Sequence, residues 1–293
     1  MPLLLFAALL AQADPTSRSW NEPVEPFRVI GNVHYVGANE ITSFLITTPQ
    51  GHILLDGGFV ETAPQILANI RKLGFRLEDV KVILNSQAHY DHAGGFAELK
   101  HATGASLQVM EGDAEQVARG GREDFAFGDK FLFPPVEPDR VLRPGASVTL
   151  GGMSMKAVWT PGHTRGCTTW TMTALEGARR YSVVFVCSTT APGYELVHNA
   201  AYPRIVDDYR ASFRTLEALP CDVFLASHGS FFHLREKMQR LREGDALAFV
   251  DAQGYRKFIG ETRETFEAQL RAQLARPPAG VEREQKLGAD RPR

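Results

Sequence analysis

Between the apolar run Val80-Lys81-Val82-Ile83-Leu84 and the pair Gly94-Gly95, the chain reads Asn85-Ser86-Gln87-Ala88-His89-Tyr90-Asp91-His92-Ala93. Gln87, His89, Asp91 and His92 are four potential metal ligands within six residues. A helix presents ligands on one face at spacings of three or four, so spacings of two, two and one require a tight loop. The fold must therefore deliver these side chains from the end of a strand. Imidazole suits zinc, copper and iron, and a carboxylate beside histidines disfavours Cu(I). Zinc is the expected ion.

One loop cannot complete two coordination shells, so further ligands are expected on loops at the same end of the strands. Two candidates stand out. Thr160-Pro161-Gly162-His163-Thr164 follows an apolar strand ending at Trp159, and Ala226-Ser227-His228-Gly229 follows Val223-Phe224-Leu225. In both, glycine beside the histidine permits close backbone approach. His34, His52, His101, His198 and His233 lack such context and are read as ordinary surface or core residues.

The pattern of elements indicates an α/β chain. Strands are expected over 27–36, 41–48, 52–55, 80–84, 107–110, 147–150, 154–159, 168–172, 183–186 and 222–226. Helices are expected after Thr62, a candidate N-cap with Pro64 in the first turn, up to Gly74, and over 96–102, 207–219, 234–242 and 253–274. Strand blocks with intervening helices occur in both halves, which fits two packed sheets covered by helices on their outer faces. Residues 119–136 stand apart, glycine-rich and then aromatic with Phe125, Phe127, Phe131 and Phe133. Such a segment either folds over the core or forms a lid over a site.

At 293 residues, with 44% hydrophobic and 23% charged, the chain can bury a sizeable core as one large domain. A net charge of −2 and the lack of any Lys/Arg run argue against nucleic acid as a partner. The first thirteen residues are apolar and end in Ala11-Gln12-Ala13. They read as a secretory signal cleaved before Asp14, too short for a stable membrane anchor, although no Lys or Arg precedes the apolar run. That predicts a periplasmic protein, with one domain over 14–276 and a disordered polar tail over 277–293. Three cysteines, Cys167, Cys187 and Cys221, allow at most one disulfide.

The series formed by Asp56, the 87–92 cluster, His163 and His228 resembles the metallo-β-lactamase fold superfamily, whose signature is HxHxDH with a strand-end Asp before it and two separate histidines after it. The likeness runs from about Phe27 to Leu274. Leu54-Leu55-Asp56-Gly57-Gly58, Thr160-Pro161-Gly162-His163-Thr164, Ala191-Pro192-Gly193-Tyr194 and Leu219-Pro220-Cys221-Asp222 point to its third subclass of class B zinc β-lactamases. This resemblance implies a four-layer αβ/βα sandwich of two mixed sheets. It also implies up to two zinc ions, the first held by Gln87, His89 and His163, the second by Asp91, His92 and His228, with Asp56 supporting the metal loop. Gln87 departs from the usual histidine, and its neutral amide oxygen is the weaker donor, so the first site should fill less readily.

Many superfamily hydrolases carry a metal-bridging Asp after the strand near Val186, whereas this chain reads Cys187-Ser188-Thr189-Thr190. This favours a β-lactamase over a thioesterase or lactonase. Cys187 is expected to be a buried neighbour, since His92 fills the role that a cysteine takes in another subclass. The resemblance further implies that hydroxide generated on zinc, oriented by Asp91, opens the β-lactam ring of penicillins, cephalosporins and carbapenems and so confers antibiotic resistance. Ser188 and Thr190 would contact the substrate carboxylate or ordered water, and Phe127 would cover the drug. A monomer is expected. Two other readings stay open: hydrolysis of another ester, lactone or thioester on this fold, or a non-catalytic periplasmic zinc-binding protein.

Overall fold

The computed structural model describes residues 15–276; the expected signal segment and tail lie outside the described residues. Strands β1 (Phe27–Ile30), β2 (Val33–Tyr35), β3 (Phe44–Thr48), β4 (Gly51–Leu55), β5 (Val80–Leu84), β6 (Ser106–Met110) and β7 (Arg140–Leu142) form one sheet in that order. β1 to β4 pair antiparallel, and β4 to β7 pair parallel. Strands β8 (Ser147–Leu150), β9 (Met153–Trp159), β10 (Thr168–Glu176), β11 (Arg179–Val186) and β12 (Val223–Ala226) form the second sheet, in the order β12-β11-β10-β9-β8. Only β11 and β12 are parallel there.

The period of two along a strand explains how the sheets stack. In β4 and β5, Ile53, Leu55, Val82 and Leu84 join a core with Met155, Trp170 and Val183 of the second sheet. The alternate residues Leu54 and Ile83 join a separate core with Ile66, Ile70 and Leu99 on the outer face. These last belong to the helices α2 (Ala63–Lys72) and α4 (Phe96–Thr103), which come after the short α1 (Pro15–Trp20); the single turn α3 (Tyr90–Ala93) of the 87–92 loop directly precedes α4. On the far side, α6 (Ile205–Ala218) and, after α7 (Leu234–Arg242), the long α8 (Ala252–Leu274) cover the second sheet, with Tyr209 against Phe266 at 4.6 Å and Phe224 of β12 against Tyr255 at 5.5 Å. The result is the helix–sheet–sheet–helix sandwich expected. Among the described residues no helix is long and apolar enough to cross a membrane.

Two local expectations need correction. Residues 27–36 are two strands, because Gly31 turns in the left-handed region at φ +50 and reverses the chain. Thr62 holds the N-cap position of α2, with Pro64 in the first turn, but its side chain makes no capping bond: the hydroxyl accepts the Phe59 amide and donates to Asn21. Helix α5 (Glu111–Ala118) and strand β7 were not foreseen. α5 buries only Val117 and Asp113, too little apolar periodicity to read, and β7 is three residues long. The 119–136 segment does both things weighed for it. Phe133 joins the outer core, while Phe131 stacks on Tyr90 of the metal loop at 4.6 Å and Phe127 packs against His89.

Candidate metal centre

All the loops that matter leave the sheets at one end. The 87–92 loop follows β5, His163 follows β9, Ser188 and Thr190 follow β11, and His228 follows β12. Hydrogen bonds between the sheets fix that end: the Trp170 indole donates to Asn85 O (2.9 Å), Thr168 N to Ser86 O (2.8 Å) and the Thr42 hydroxyl to Ala226 O (2.7 Å). Asp56, at the end of β4, lies in the left-handed region at φ 64, a conformation that non-glycine residues hold chiefly where surrounding structure imposes it. Its carboxylate accepts both the amide and the hydroxyl of Ser86, each at 2.6 Å, and so pins the start of the metal loop.

Asp91, His92 and His228 converge. His92 Nε2 lies 3.3 Å from Asp91 Oδ2 and 3.3 Å from His228 Nε2, and His228 Nε2 lies 3.6 Å from Asp91 Oδ2. Ligands about 2.1 Å from a tetrahedral zinc sit about 3.4 Å from one another. The three atoms therefore fit that ion, and they form a candidate metal-holding group among the described residues. A second convergence lies beside the first: His89 Nδ1 is 3.1 Å from His163 Nε2. Gln87 is fully buried, and neither its amide oxygen nor its nitrogen has a hydrogen-bond partner. Burying such an amide unpaired costs about 2–7 kcal/mol, which a metal bond to the oxygen would offset. Asp91, His92 and His228 fit zinc; beside them His89 and His163 offer two further nitrogens at a ligand separation, and Gln87 an amide without a partner.

The nitrogen of each histidine that points away from these convergences faces an oxygen. His92 Nδ1 lies 3.7 Å from Asp56, His228 Nδ1 3.5 Å from Glu40, His89 Nε2 3.6 Å from Asp124, and His163 Nδ1 donates to Thr190 O at 2.7 Å. The Thr190 carbonyl fixes the His163 tautomer by a hydrogen bond, while the three carboxylates, beyond hydrogen-bond distance, bias theirs by charge, in each case toward the form that leaves the other nitrogen free to ligate. Burial alone would raise the Asp91 carboxyl, but His92, through charge and hydrogen bond, then His228 and His89, pull it well below the carboxylate range. Burial pushes His163 well down, and neighbouring His89 adds to this, so its ring is neutral and able to donate to a metal. Asp56 is pushed up to about 6 by burial, against the pull of His92 and Ser86.

Asp113 escaped the sequence reading. Its Oδ2 accepts the Ala88 amide (2.9 Å) and the Thr164 hydroxyl (2.8 Å), and its Oδ1 accepts the Gly166 amide (2.7 Å), so one carboxylate ties the 87–92 loop to the His163 loop. The approach is so close that a Cβ on Gly166 would collide with the Asp113 backbone nitrogen. The legible signal was an Asp beside glycine just past a strand end, the same rule that picked out His163 and His228. Ser188 and Thr190 sit together at the end of β11, their hydroxyls 3.2 Å apart, and the Phe127 ring lies 5.4 Å from that of His89. Cys187 is fully buried and bonded to Cys167, which agrees with a buried neighbour and leaves Cys221 as the free thiol.

Comparisons with known proteins match this geometry. The sequence profile of the metallo-beta-lactamase superfamily covers residues 36–228. Among solved structures, a metallo-beta-lactamase of Cronobacter sakazakii described by its HARLDQ motif, a run absent from this chain, is 45% identical at a TM-score of 0.86, covering 89% of this chain and all of that one. FEZ-1 from Legionella gormanii is 40% identical with a TM-score of 0.86 (87% and 99% covered), and BJP-1, a subclass B3 enzyme of Bradyrhizobium japonicum, 39% with 0.83 (88% and 98%). The matches to curated relatives are shorter. A probable metallo-hydrolase of Burkholderia pseudomallei is 30% identical over 130 residues, and a hydroxyacylglutathione hydrolase of Rhodospirillum rubrum 33% over 104. These alignments take in 44% and 36% of this chain and span only 43% and 32% of the two relatives. With its two sheets, its four histidines at strand ends, a superfamily profile that matches most of its length and a likeness to subclass B3 structures over more than four fifths of it, the chain belongs to the metallo-β-lactamase superfamily.

Proposed function

We propose that the protein hydrolyses the amide bond of β-lactams, with zinc held by Asp91, His92 and His228 and a second zinc by Gln87, His89 and His163. The observation that carries this reading is the convergence of Asp91, His92 and His228 at tetrahedral ligand separations, in a chain that aligns along its length with subclass B3 enzymes. Bound zinc supplies a water acidic enough to act at neutral pH and a Lewis acid for the carbonyl. Asp91, anionic throughout the neutral range, orients that water and takes up its proton's hydrogen bond. The hydroxyls of Ser188 and Thr190 donate to the substrate carboxylate, and Phe127 covers its apolar side chain and excludes water. Nothing between Cys187 and Thr190 is acidic, which favours this reading over an activity like that of the hydroxyacylglutathione hydrolase of Rhodospirillum rubrum.

Export completes the proposal: residues 1–13 are removed, the mature chain starts at Asp14, and the protein works in the periplasm as a monomer, where it confers resistance. The Cys167–Cys187 disulfide supports an oxidising compartment. The test is hydrolysis of a penicillin, a cephalosporin and a carbapenem by the purified mature chain, with added zinc and with chelator. Turnover of at least one, abolished by chelator and restored by zinc, is expected. Turnover of a thioester or lactone with none of the three drugs would overturn the substrate assignment, and tight zinc binding with no turnover at all would indicate a binding protein.

A further inference from the structure

Three of the four histidine supports come from the scaffold itself. Asp56 ends β4, Glu40 precedes β3, and the Thr190 carbonyl follows β11. The fourth, Asp124 on His89, comes from the 119–136 loop. The tip of that loop is a compact unit: the backbones of Asp124 and Gly128 exchange two hydrogen bonds, at 3.2 and 2.9 Å. Inside it, Asp124 Oδ1 accepts the amides of Ala126 (2.8 Å) and Phe127 (2.9 Å), a side-chain turn that aims the Phe127 ring at His89. The other oxygen, Oδ2, faces His89 Nε2 at 3.6 Å, with both side chains 8% exposed, and that nitrogen has no hydrogen-bond partner. Its sister Nδ1 faces His163.

We propose that Asp124 is a positioning residue for the first metal site and that, through it, metal binding there and seating of the 119–136 loop are one coupled event. The carboxylate holds the proton of His89 on Nε2 and so leaves Nδ1 as the ligand atom, with raised basicity. That support matters more here than beside a full histidine set, because Gln87 contributes the weaker donor. Since Asp124 and Phe127 share one turn, a loop that swings away takes the carboxylate and the aromatic cover together. Linkage then requires that metal in the first site stabilise the seated loop by the same factor that the seated loop tightens the metal. The inference rests on His89 being a metal ligand, and not on which substrate is hydrolysed.

Two measurements on the full-length mature protein test it. The first is zinc titration against a chromophoric chelator for wild type, Asp124→Asn and His89→Ala. Asparagine keeps an oxygen for the Ala126 and Phe127 amides but turns an NH2 toward His89 Nε2, which selects the wrong tautomer. The weaker zinc of Asp124→Asn should loosen about 10- to 100-fold, and His89→Ala should lose it. The second is proteolysis: trypsin cleavage after the exposed Arg122 and Lys130 should slow as the weaker site fills in wild type, and should ignore zinc in Asp124→Asn. Unchanged affinity in Asp124→Asn beside a loss in His89→Ala would overturn the role of Asp124. Loop cleavage indifferent to zinc in wild type would overturn the coupling. Unchanged affinity in His89→Ala would overturn the ligand assignment itself.

Discussion

Asp113→Ala should loosen the protein and its first metal site together, although Asp113 is not a candidate ligand. The substitution leaves three buried donors, the amides of Ala88 and Gly166 and the hydroxyl of Thr164, without their acceptor. At about 1–3 kcal/mol for each unsatisfied group, the loss is about 3–9 kcal/mol. Against this stands the strain of holding the carboxylate charged: burial pushes Asp113 up to about 6 from 3.8, despite the hydrogen bonds from Thr164 and Gly166. At about 1.36 kcal/mol per pKa unit, that relief returns about 3 kcal/mol at neutral pH. A net destabilisation near 3 kcal/mol follows, or about 6–12 °C in Tm for a domain of this size. Urea unfolding at pH 7 in EDTA measures it without metal. The pH dependence has a definite sign. The folded carboxyl binds its proton more tightly than the unfolded one, so this group's contribution to stability falls as pH rises from about 4 to about 6. Asp56 adds a similar slope, so Asp113→Ala should reduce the slope and not abolish it. A destabilisation under about 1 kcal/mol with an unchanged slope between pH 4 and 6 would refute the reasoning.

Asp91→Ala and His228→Ala should each abolish hydrolysis and remove the more tightly held metal while the far-UV circular dichroism stays native, since only loop-end side chains change; metal content at the wild-type level in either would show the second site to be misassigned. Gln87→His should tighten the weaker zinc by about 10- to 100-fold, because imidazole replaces an uncharged amide oxygen. Chelator competition reads this directly, and equal affinities in the two proteins would mean that Gln87 is not a ligand.

The convergence of the candidate ligand histidines was legible because each obeys a local rule: it sits just past an apolar strand and next to glycine or inside a dense cluster. The centre of the first sheet was legible for a similar reason, since Ile53, Leu54 and Leu55, and Val82, Ile83 and Leu84, lie in strands buried on two faces. What escaped was held by polar contacts between distant segments. Asp113 matters through partners 25, 51 and 53 residues away, and no spacing rule pairs such positions. Asp124 reads locally as a turn residue, which it is; that its second oxygen faces His89 depends on where the whole loop lands. The Cys167–Cys187 pair was undetermined among three cysteines until β10 and β11 were seen side by side.

The first sheet is finished by residue 142 and the second begins at 147, so the chain builds its sandwich as two successive halves. Each candidate site draws two ligands from the first half and one from the second, Gln87 and His89 with His163, and Asp91 and His92 with His228. Neither half can assemble a site alone. These contacts span 74 and 136 residues, so they belong to the slow, high-contact-order steps of folding. A nascent chain with only its first half outside the ribosome would hold zinc weakly at most. Once the halves dock, an ion held at either site would act as a rivet between them, and would bind the native state in preference to the unfolded chain. The metal should therefore slow unfolding far more than it speeds folding, and zinc depletion should shorten the protein's lifetime as well as silence it.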